Sequence, residues 1–401
     1  MHTKRVILLG STGSIGTQTI EVVRALNAAA ERGESAVRYR VVGLATGRNA
    51  DAMFAQAAGL GVTELALASV GSGGSAASAP AGVTLRTGAD AAARLVEEVE
   101  ADVVVGAMVG SAGIPATLAA LRRGVDVALA NKETLVAAGA VVVEAARRSG
   151  AKLLPIDSEH SGLWQCLSCR SRGHEAAPFS VGNDVRRVVL TASGGALRSR
   201  PLEELHHASV EEALAHPTWN MGAKVTIDSA SLTNKALEVI EAHWLFGLDA
   251  ERICVLVHPQ SVVHAMVEFA DASVIAQLGA ADMRTPIQYA MTFPARPAGV
   301  SRSLDFAALS RLEFSPPDAR RYPALELGHR VIREGGTSGA VFNAANEAAV
   351  EAFLARKIAF GRIAELSRAA MDEIGVSPLR DLADAQKAEE QARRFVGMMI
   401  A

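Results

Sequence analysis

This 401-residue sequence lacks the features that mark several classes of protein. Its three cysteines are too few for a disulfide framework. Aromatic residues make up only 4% of the chain, which argues against a stacking surface for single-stranded nucleic acid. The 40 lysines and arginines nearly balance the 43 aspartates and glutamates, so the net charge of −3 creates no basic field for nucleic acid.

Long hydrophobic runs are missing as well. No stretch reaches about 18 uninterrupted apolar residues, so the sequence predicts no membrane-spanning helix. The N-terminal segment passes from a short apolar run directly into a glycine loop, without the apolar region and cleavage site of a signal peptide. Together with the low cysteine content, these absences predict a cytoplasmic protein.

What is present is an ordinary globular composition, 49% hydrophobic and 21% charged. Residues 1–155 alternate short, almost continuously apolar segments with helical patterns at 15–30 and 134–149. This alternation predicts an α/β, doubly wound fold whose parallel sheet is covered on both faces. Residues 71–82, rich in Gly, Ser and Ala, predict a flexible surface loop. The apolar segments are RVILLG (5–10), YRVVGLAT (39–46), ADVVVGAM (101–108), VDVALA (125–130) and AKLLPI (151–156).

The remainder of the chain has a different pattern, and the length of the chain predicts two or three domains. Strand patterns at 185–195, 253–269 and 273–279 flank a helical pattern at 231–246, and residues from 322 onward are almost wholly helical in pattern. We therefore predict a Rossmann-like domain at 1–156, a central mixed α/β domain at 157–292, a linker at 293–318 and a C-terminal helical domain at 319–401.

A glycine-rich loop, GSTGSIG, follows the first predicted strand and opens the first helix. Gly10, Gly13 and Gly16 form a variant of the dinucleotide-binding fingerprint, in which the helix N-terminus offers free N–H groups to a pyrophosphate. A tight strand–helix turn without a ligand is the alternative. After the second strand, Arg48 stands where an NAD-selective site carries an acid, which favours NADP; an arginine exposed to solvent is the alternative.

Polar residues follow two later strands at the edge where open α/β sheets bind ligands. Asn131, Lys132 and Glu133 follow one strand, and Asp157 and Glu159 follow another. If the second segment is extended, its two carboxylates project to the same side.

The predicted helix at 231–246 gathers Asn234, Lys235 and Glu238 on one face through i,i+3 and i,i+4 spacing. Asp157, Glu159 and Glu238 would form an oxygen site suited to Mg²⁺ or Mn²⁺. Each acid taken singly is equally consistent with a solvated helix face or a helix cap.

Two further motifs carry weaker signals. The turns TASGG (191–195) and DSAS (228–231) present Ser193 and Ser229, whose hydroxyls suit a phosphate, although such turns are common in loops. Cys166 and Cys169 have C-x-x-C spacing with His174 nearby, but a fourth ligand is missing, so we interpret them as structural thiols rather than a zinc site.

Nine segments, in this order along the chain, resemble the 1-deoxy-D-xylulose 5-phosphate reductoisomerase family from residue 5 to about residue 360. The resemblance implies an NADPH-dependent enzyme of the non-mevalonate isoprenoid pathway that makes 2-C-methyl-D-erythritol 4-phosphate. It further implies Mg²⁺, Mn²⁺ or Co²⁺ as the metal, a sugar phosphate as the small-molecule substrate, and a homodimer. The segments are GSTGSIG, ANKE, PIDSEH, SGG, HPTWNMG, DSASLTNKALEVIEAHWLF, HPQSVVHAMV, DMRTPI and NAANE.

The resemblance also implies roles for individual residues, with the NADPH site in 1–156 and the catalytic metal and substrate sites in 157–292. The NADPH contacts would be Thr12, Gly13, Ser14, Ile15, Gly47, Arg48, Asn49, Asn131, Glu133 and Gly222. The metal ligands would be Asp157, Glu159 and Glu238. The substrate would contact Lys132, Ser158, Glu159, Ser193, His216, Ser229, Asn234, Lys235 and Glu238. The catalytic set would be Lys132, Asp157, Glu159, His216 and Glu238.

Trp219 and Met221 are large apolar residues in a predicted loop, HPTWNMG (216–222), and such residues either pack on the core or cover a ligand. The resemblance favours a lid that covers the ligands. Three features depart from the family pattern. Arg48 stands where relatives often have lysine, Thr218 and Ala196 replace Asn and Pro, and the segment 168–184 is diverged.

Two other classes of protein remain as alternatives. A metal-independent NADP oxidoreductase of the semialdehyde-dehydrogenase kind would need a nucleophilic cysteine, whereas Cys254 in ICVLV is predicted to be buried. A regulator that senses NADP would not need three convergent acids.

Overall fold

The computed structural model describes residues 2–69, 80–169, 175–217 and 221–400. Most of the predicted surface loop (71–79), His174 of the C-x-x-C segment, and Thr218 and Trp219 of the predicted lid lie outside the described residues. The lid therefore stays a prediction.

The N-terminal part forms a seven-stranded, fully parallel sheet in the order β4-β3-β2-β1-β5-β6-β7. All five predicted strands are present, and the structure adds β3 and β4. These two have only four residues each: the apolar run of β3 (ELAL) is three residues long, and β4 (TLRT) has no apolar run and is mostly accessible at the sheet edge. The strands are β1 (His2–Leu9), β2 (Val37–Thr46), β3 (Glu64–Leu67), β4 (Thr84–Thr87), β5 (Val103–Gly106), β6 (Asp126–Leu129) and β7 (Leu153–Pro155).

Helices stand between successive strands of this sheet except between β3 and β4, and the strand order changes direction beside β1, the place where doubly wound sheets bind ligands. The glycine loop lies there and requires its glycines. Gly10 has φ +80°, and a Cβ on Gly16 would lie 2.3 Å from the Gly10 carbonyl oxygen. The helices are α1 (Ser14–Glu31), α2 (Ala50–Leu60), α3 (Ala91–Glu98), α4 (Ile114–Arg122) and α5 (Glu133–Ser149).

The central part contains a second, mixed sheet in the order β11-β10-β8-β9, in which only β8 and β9 run parallel. Helix α6 packs on β10 and β11, and α9 packs on α5. The strands are β8 (Val185–Ala192), β9 (Ile253–Val257), β10 (Val263–Phe269) and β11 (Val274–Leu278). The helices are α6 (Ser158–Leu167), α7 (Val210–Leu214), α8 (Ala223–Ala230), α9 (Thr233–Phe246) and α10 (Arg284–Thr292).

The prediction that Cys254 is buried is wrong. It lies on β9, the edge strand of the second sheet, where burial alternates along the strand, and its side chain is only half-buried. Only one face of this edge strand is buried. A continuous apolar run in the sequence does not show whether one face or both faces of the strand are buried.

Four helices form the C-terminal part, as predicted, and the α/β fold class is confirmed. Helix α12 packs against α5 so closely that a Cβ on Gly339 would lie 2.0 Å from the Val136 carbonyl oxygen. Between α10 and α11 the chain forms one isolated bridge, Val257 to Ser315. The exact domain boundaries stay a prediction. The helices are α11 (Ala324–Glu334), α12 (Ser338–Leu354), α13 (Arg362–Ile374) and α14 (Leu382–Ile400).

Within the described ranges, no helix combines the length and the apolar composition needed to span a bilayer.

Candidate active site

A cavity of about 880 Å³ lies between the carboxyl edge of the parallel sheet and the central part of the chain. Its walls include the start of α1, the loop after β5, the start of α5, the start of α6 and residues of α8 and α9. Most of the predicted site residues meet here. Those that line the cavity are Gly13, Ser14, Ile15, Asn131, Lys132, Glu133, Asp157, Ser158, Glu159, Ser193, His216, Gly222, Ser229, Asn234, Lys235 and Glu238.

Four predicted NADPH contacts do not line this cavity: Thr12, Gly47, Arg48 and Asn49. They lie just beyond the carboxyl ends of β1 and β2, which are adjacent strands. Thr12 Oγ1 lies 2.6 Å from Thr46 Oγ1, Arg48 is exposed, and the Asn49 side chain caps α2 by accepting from the Ala52 N–H at 3.2 Å. Their roles as cofactor contacts stay predictions.

The Asn131 side chain forms hydrogen bonds within the cavity wall. Its Nδ2 donates to the carbonyl oxygens of Met108 and of Gly110, the latter at 2.9 Å. Its Oδ1 accepts from the Thr134 N–H at 2.8 Å. The side chain therefore fixes the loop after β5 against the start of α5.

The first pair of acids is not on an extended segment, and that expectation is wrong. Helix α6 begins at Ser158, so Asp157 is the residue that precedes the helix and Glu159 lies in the first turn. An acid in a first turn is favoured by the positive end of the helix dipole. Carboxylate oxygens of Asp157, Glu159 and Glu238 nevertheless all lie within 4.8 Å of one another.

Two lysines separate these acids. Lys132 Nζ forms an ion pair with Asp157 and lies 3.0 Å from Glu238 Oε1. Lys235 Nζ lies 3.0 Å from Glu159 Oε1 and also contacts the Glu238 carboxylate. Three carboxylates against two ammonium groups leave one negative charge, and the oxygens are hard ligands, so the residues fit a divalent cation of the Mg²⁺ or Mn²⁺ type.

Burial and the alternating charges shift the pKa values in this cluster. Burial raises the pKa of Glu238, and the neighbouring Asp157 and Glu159 carboxylates raise it further. Burial also acts to raise the pKa of Asp157, but the Lys132 ammonium outweighs it, so that pKa lies below its usual value. For Lys132, burial acts to lower the pKa, but Asp157 and Glu238 raise it well above its usual value, so the lysine stays protonated at neutral pH.

One buried pair beside Glu238, His160 with Glu241, was not predicted from the sequence. His160 Nε2 lies 2.8 Å from the Glu238 carbonyl oxygen, which only accepts, so this nitrogen carries the proton. His160 Nδ1 lies 3.3 Å from Glu241 Oε2, both side chains are buried, and burial raises the pKa of Glu241 to about 7. The i,i+3 spacing of Glu238 and Glu241 on one helix was the available signal.

The small-residue turn at 193–195 lies close to α8. Ser193 Oγ lies 3.1 Å from His216 Nε2 and accepts the Gly195 N–H at 3.1 Å. Gly195 has φ +69°, and a Cβ there would lie 2.4 Å from the Ser229 carbonyl oxygen, so only glycine lets the turn approach α8. Burial, with a smaller contribution from Arg198, lowers the pKa of His216.

Among the cavity residues that were not predicted as site residues are His264 and Lys224. His264 on β10 lines the cavity, and burial lowers its pKa to about 4, so it is neutral at pH 7. Lys224 on α8 also lines the cavity and pairs with Glu133 and Asp228. For Lys224, the signal in the sequence was its i,i+4 spacing from Asp228.

A glycine loop on a doubly wound sheet, facing a carboxylate–lysine cluster in one cavity, defines the class of dinucleotide-dependent oxidoreductases with a metal site. Family models for 1-deoxy-D-xylulose 5-phosphate reductoisomerase match residues 6–139 and, for its C-terminal domain, residues 153–246. A model described as the DXP reductoisomerase C-terminal domain matches residues 278–395. The chain belongs to the 1-deoxy-D-xylulose 5-phosphate reductoisomerase family.

Relatives of that name match along almost the whole chain. The Pelotomaculum thermopropionicum protein is 46% identical over 398 residues, covering 98% of this chain and 97% of the relative. The Ralstonia nicotianae protein is 44% identical over 404 residues, covering 99% of this chain and 98% of the relative.

Solved structures agree with the sequence relatives. The Zymomonas mobilis enzyme in complex with NADPH is 37% identical, with a TM-score of 0.86 and coverage of 100% of this chain and 99% of the other. A DOX-P reductoisomerase in complex with NADPH, fosmidomycin and magnesium is 33% identical, with a TM-score of 0.88 and coverage of 99% and 98%.

Proposed function

We infer that this protein converts 1-deoxy-D-xylulose 5-phosphate to 2-C-methyl-D-erythritol 4-phosphate, with NADPH and a divalent metal ion, in the non-mevalonate pathway to isoprenoid precursors. The observation that carries this conclusion is the convergence of Asp157, Glu159 and Glu238 with Lys132 and Lys235 in a cavity that the glycine loop also lines. Family membership and the NADPH and magnesium complexes of relatives support it.

The three acids would hold Mg²⁺, Mn²⁺ or Co²⁺. When bound there, a divalent cation supplies Lewis-acid stabilisation of negative charge that develops on substrate oxygens during the rearrangement. The protein's own part is to fix the ligands: Glu159 by the helix turn of α6, and Glu238 by its contacts with Lys132 and Asn234. Lys132, kept protonated by its acidic neighbours, places a second positive charge beside the same oxygens.

Donor groups near α8 would bind the substrate phosphate. Ser193, His216 and Ser229 line one side of the cavity, and Asn234 with Lys235 line the floor next to Glu238. A phosphate held there supplies binding energy away from the reacting carbons and orients them.

The glycine loop would bind the dinucleotide through backbone N–H groups at the start of α1. The nicotinamide supplies the hydride that reduces the rearranged aldehyde. Arg48, exposed beyond β2, would pair with the 2′-phosphate and so select NADPH.

We also propose that the protein is a homodimer that joins through β11. This strand is at the edge of the second sheet, so one row of its backbone groups faces away from β10. Its residues Val274 and Ile275 are 55% and 38% exposed, an apolar surface that a second copy would cover. Light scattering of the wild type and of Val274→Lys tests this: a dimer that the substitution weakens supports it, and an unchanged mass for both contradicts it.

We also propose that the protein is located in the cytoplasm. All three cysteines are free thiols, which is the usual state in a reducing compartment. Fractionation of cells that express the tagged protein checks this.

The function is tested by NADPH oxidation on addition of 1-deoxy-D-xylulose 5-phosphate, with identification of the product by mass spectrometry. The semialdehyde-dehydrogenase alternative predicts activity that survives chelators and needs a thiol, although no cysteine lines the cavity wall in the described chain. The regulator alternative predicts NADPH binding without turnover.

A further inference from the structure

A buried ion-pair network lies beside the carboxylate–lysine cluster of the active site and shares no side chain with it. Lys224 Nζ lies 3.0 Å from Glu133 Oε1 and 3.0 Å from Asp228 Oδ2. Asp228 Oδ1 accepts a hydrogen bond of 2.9 Å from Asn346 Nδ2. The side chains of Glu133 and Asp228 are 7% and 1% exposed, so the lysine ammonium is what compensates two buried carboxylates.

The network that contains Lys224 spans three helices: Lys224 pairs with Glu133 and with Asp228 of its own helix, and Asp228 bonds to Asn346. Glu133 begins α5, Asp228 is near the end of α8, and Asn346 is on α12. A buried charge tolerates little change in the distance to its partner, so the pair between Lys224 and Glu133 resists displacement of α8 from the start of α5.

The chain neighbours of these groups are the predicted ligand contacts. Glu133 follows Lys132, and Asp228 precedes Ser229, a predicted substrate contact on α8. At the other end, Gly222 precedes α8 as a predicted NADPH contact, two residues before Lys224. Lys224 and Glu133 line the cavity themselves. The ammonium thus joins two walls of the cavity, each of which carries both predicted cofactor contacts and predicted substrate contacts.

We propose that Lys224 is a positioning residue for hydride transfer: its ion pair with Glu133 fixes the separation between the start of α5 and α8, and hence the position of the nicotinamide relative to the substrate. This inference rests on the proposed function. Reacting atoms must approach to about 3–3.5 Å, and a displacement of about 1 Å can cost roughly 100-fold in rate. A pair that fixes the two walls therefore acts on the chemical step without touching the reacting atoms.

The test compares Lys224→Met, which removes the charge at similar volume, with Lys224→Arg, which keeps it. The readouts are kcat, KM and the kinetic isotope effect with NADPH deuterated at the transferring position. We expect Lys224→Met to lower kcat by about 10- to 100-fold and to enlarge the isotope effect, because hydride transfer becomes more rate-limiting. Lys224→Arg should recover the larger part of both changes.

Lys152→Met is the matched control. Its Nζ lies 4.0 Å from Asp126 Oδ2, at the amino ends of β6 and β7, the opposite end of the same sheet. Its kcat and isotope effect should equal those of the wild type. If Lys224→Met does not fold, Lys224→Gln serves the same comparison, because it removes the charge and keeps a hydrogen-bond donor for the two carboxylates.

A lowered kcat with an isotope effect no larger than the wild-type value would show that the network supports the fold only, and would overturn the inference. An unchanged kcat in Lys224→Met would overturn it as well. In both cases the wild type still turns over, so the proposed function survives. A wild type that does not oxidise NADPH with the substrate overturns the proposed function, and this inference with it.

Discussion

Lys132 Nζ and Glu238 Oε1 lie 3.0 Å apart, although 106 residues separate them in the chain. Lys132 precedes α5 at the edge of the parallel sheet, and Glu238 is on α9 of the central part. Both side chains are nearly inaccessible, at 13% and 2% exposed, so the pair forms only when the two parts pack together. The active-site cluster is thus completed by tertiary structure.

Glu238→Gln should abolish most of the activity. The substitution keeps the shape of the side chain but removes a negative ligand, and loss of several kcal/mol of transition-state stabilisation corresponds to roughly 100-fold or more in kcat. Mn²⁺ binding, followed by electron paramagnetic resonance, should weaken in parallel. Glu326→Gln, at an exposed glutamate of α11, is the control and should leave both quantities unchanged. Undiminished Mn²⁺ binding by Glu238→Gln would remove this residue from the ligand set.

Arg48→Glu should weaken NADPH far more than NADH, since the new carboxylate would face the 2′-phosphate that only NADPH carries. We expect KM for NADPH to rise by at least about 10-fold, the loss of one charge-assisted hydrogen bond. Arg38→Glu is a matched control, because this exposed arginine is at the other end of the same strand. Equal changes in KM for the two cofactors would show that Arg48 does not select between them.

Ser193→Ala should raise KM for the sugar phosphate by roughly 10-fold, the value of one hydrogen bond to a charged group, with a smaller effect on kcat. The hydroxyl is 3.1 Å from His216 Nε2, so the substitution also removes this contact of the ring. Steady-state kinetics at saturating NADPH measures the effect, and Ser149→Ala at the end of α5 is the control. An unchanged KM would place the phosphate elsewhere in the cavity.

Much of this site could be predicted from the sequence, because its polar residues stand directly after predicted strands or at helical spacing within a predicted helix. The i,i+3 and i,i+4 set of Asn234, Lys235 and Glu238 forms as predicted, since helix geometry is local. The helix that begins directly after Asp157 was not predicted, because the residue where a strand stops and a helix begins is decided by capping and packing together.

Long-range contacts explain what the sequence did not reveal. Lys224 and Glu133 are 91 residues apart, and their pairing follows from the packing of both α8 and α5 on helices α9 and α12. His264 alternates with apolar residues along β10, so its pattern is that of any core strand. The short strands β3 and β4 are specified by their neighbours in the sheet more than by their own four residues.

The central claim is that Asp157, Glu159 and Glu238 hold the divalent ion on which turnover depends, and chelation tests it most directly. Purified protein is stripped of metal with EDTA, dialysed, and mixed with NADPH and 1-deoxy-D-xylulose 5-phosphate, before and after Mg²⁺ is added. We predict no NADPH oxidation before the addition, full oxidation with formation of 2-C-methyl-D-erythritol 4-phosphate after it, and NADPH binding in both states. Full turnover by the stripped protein would contradict the account.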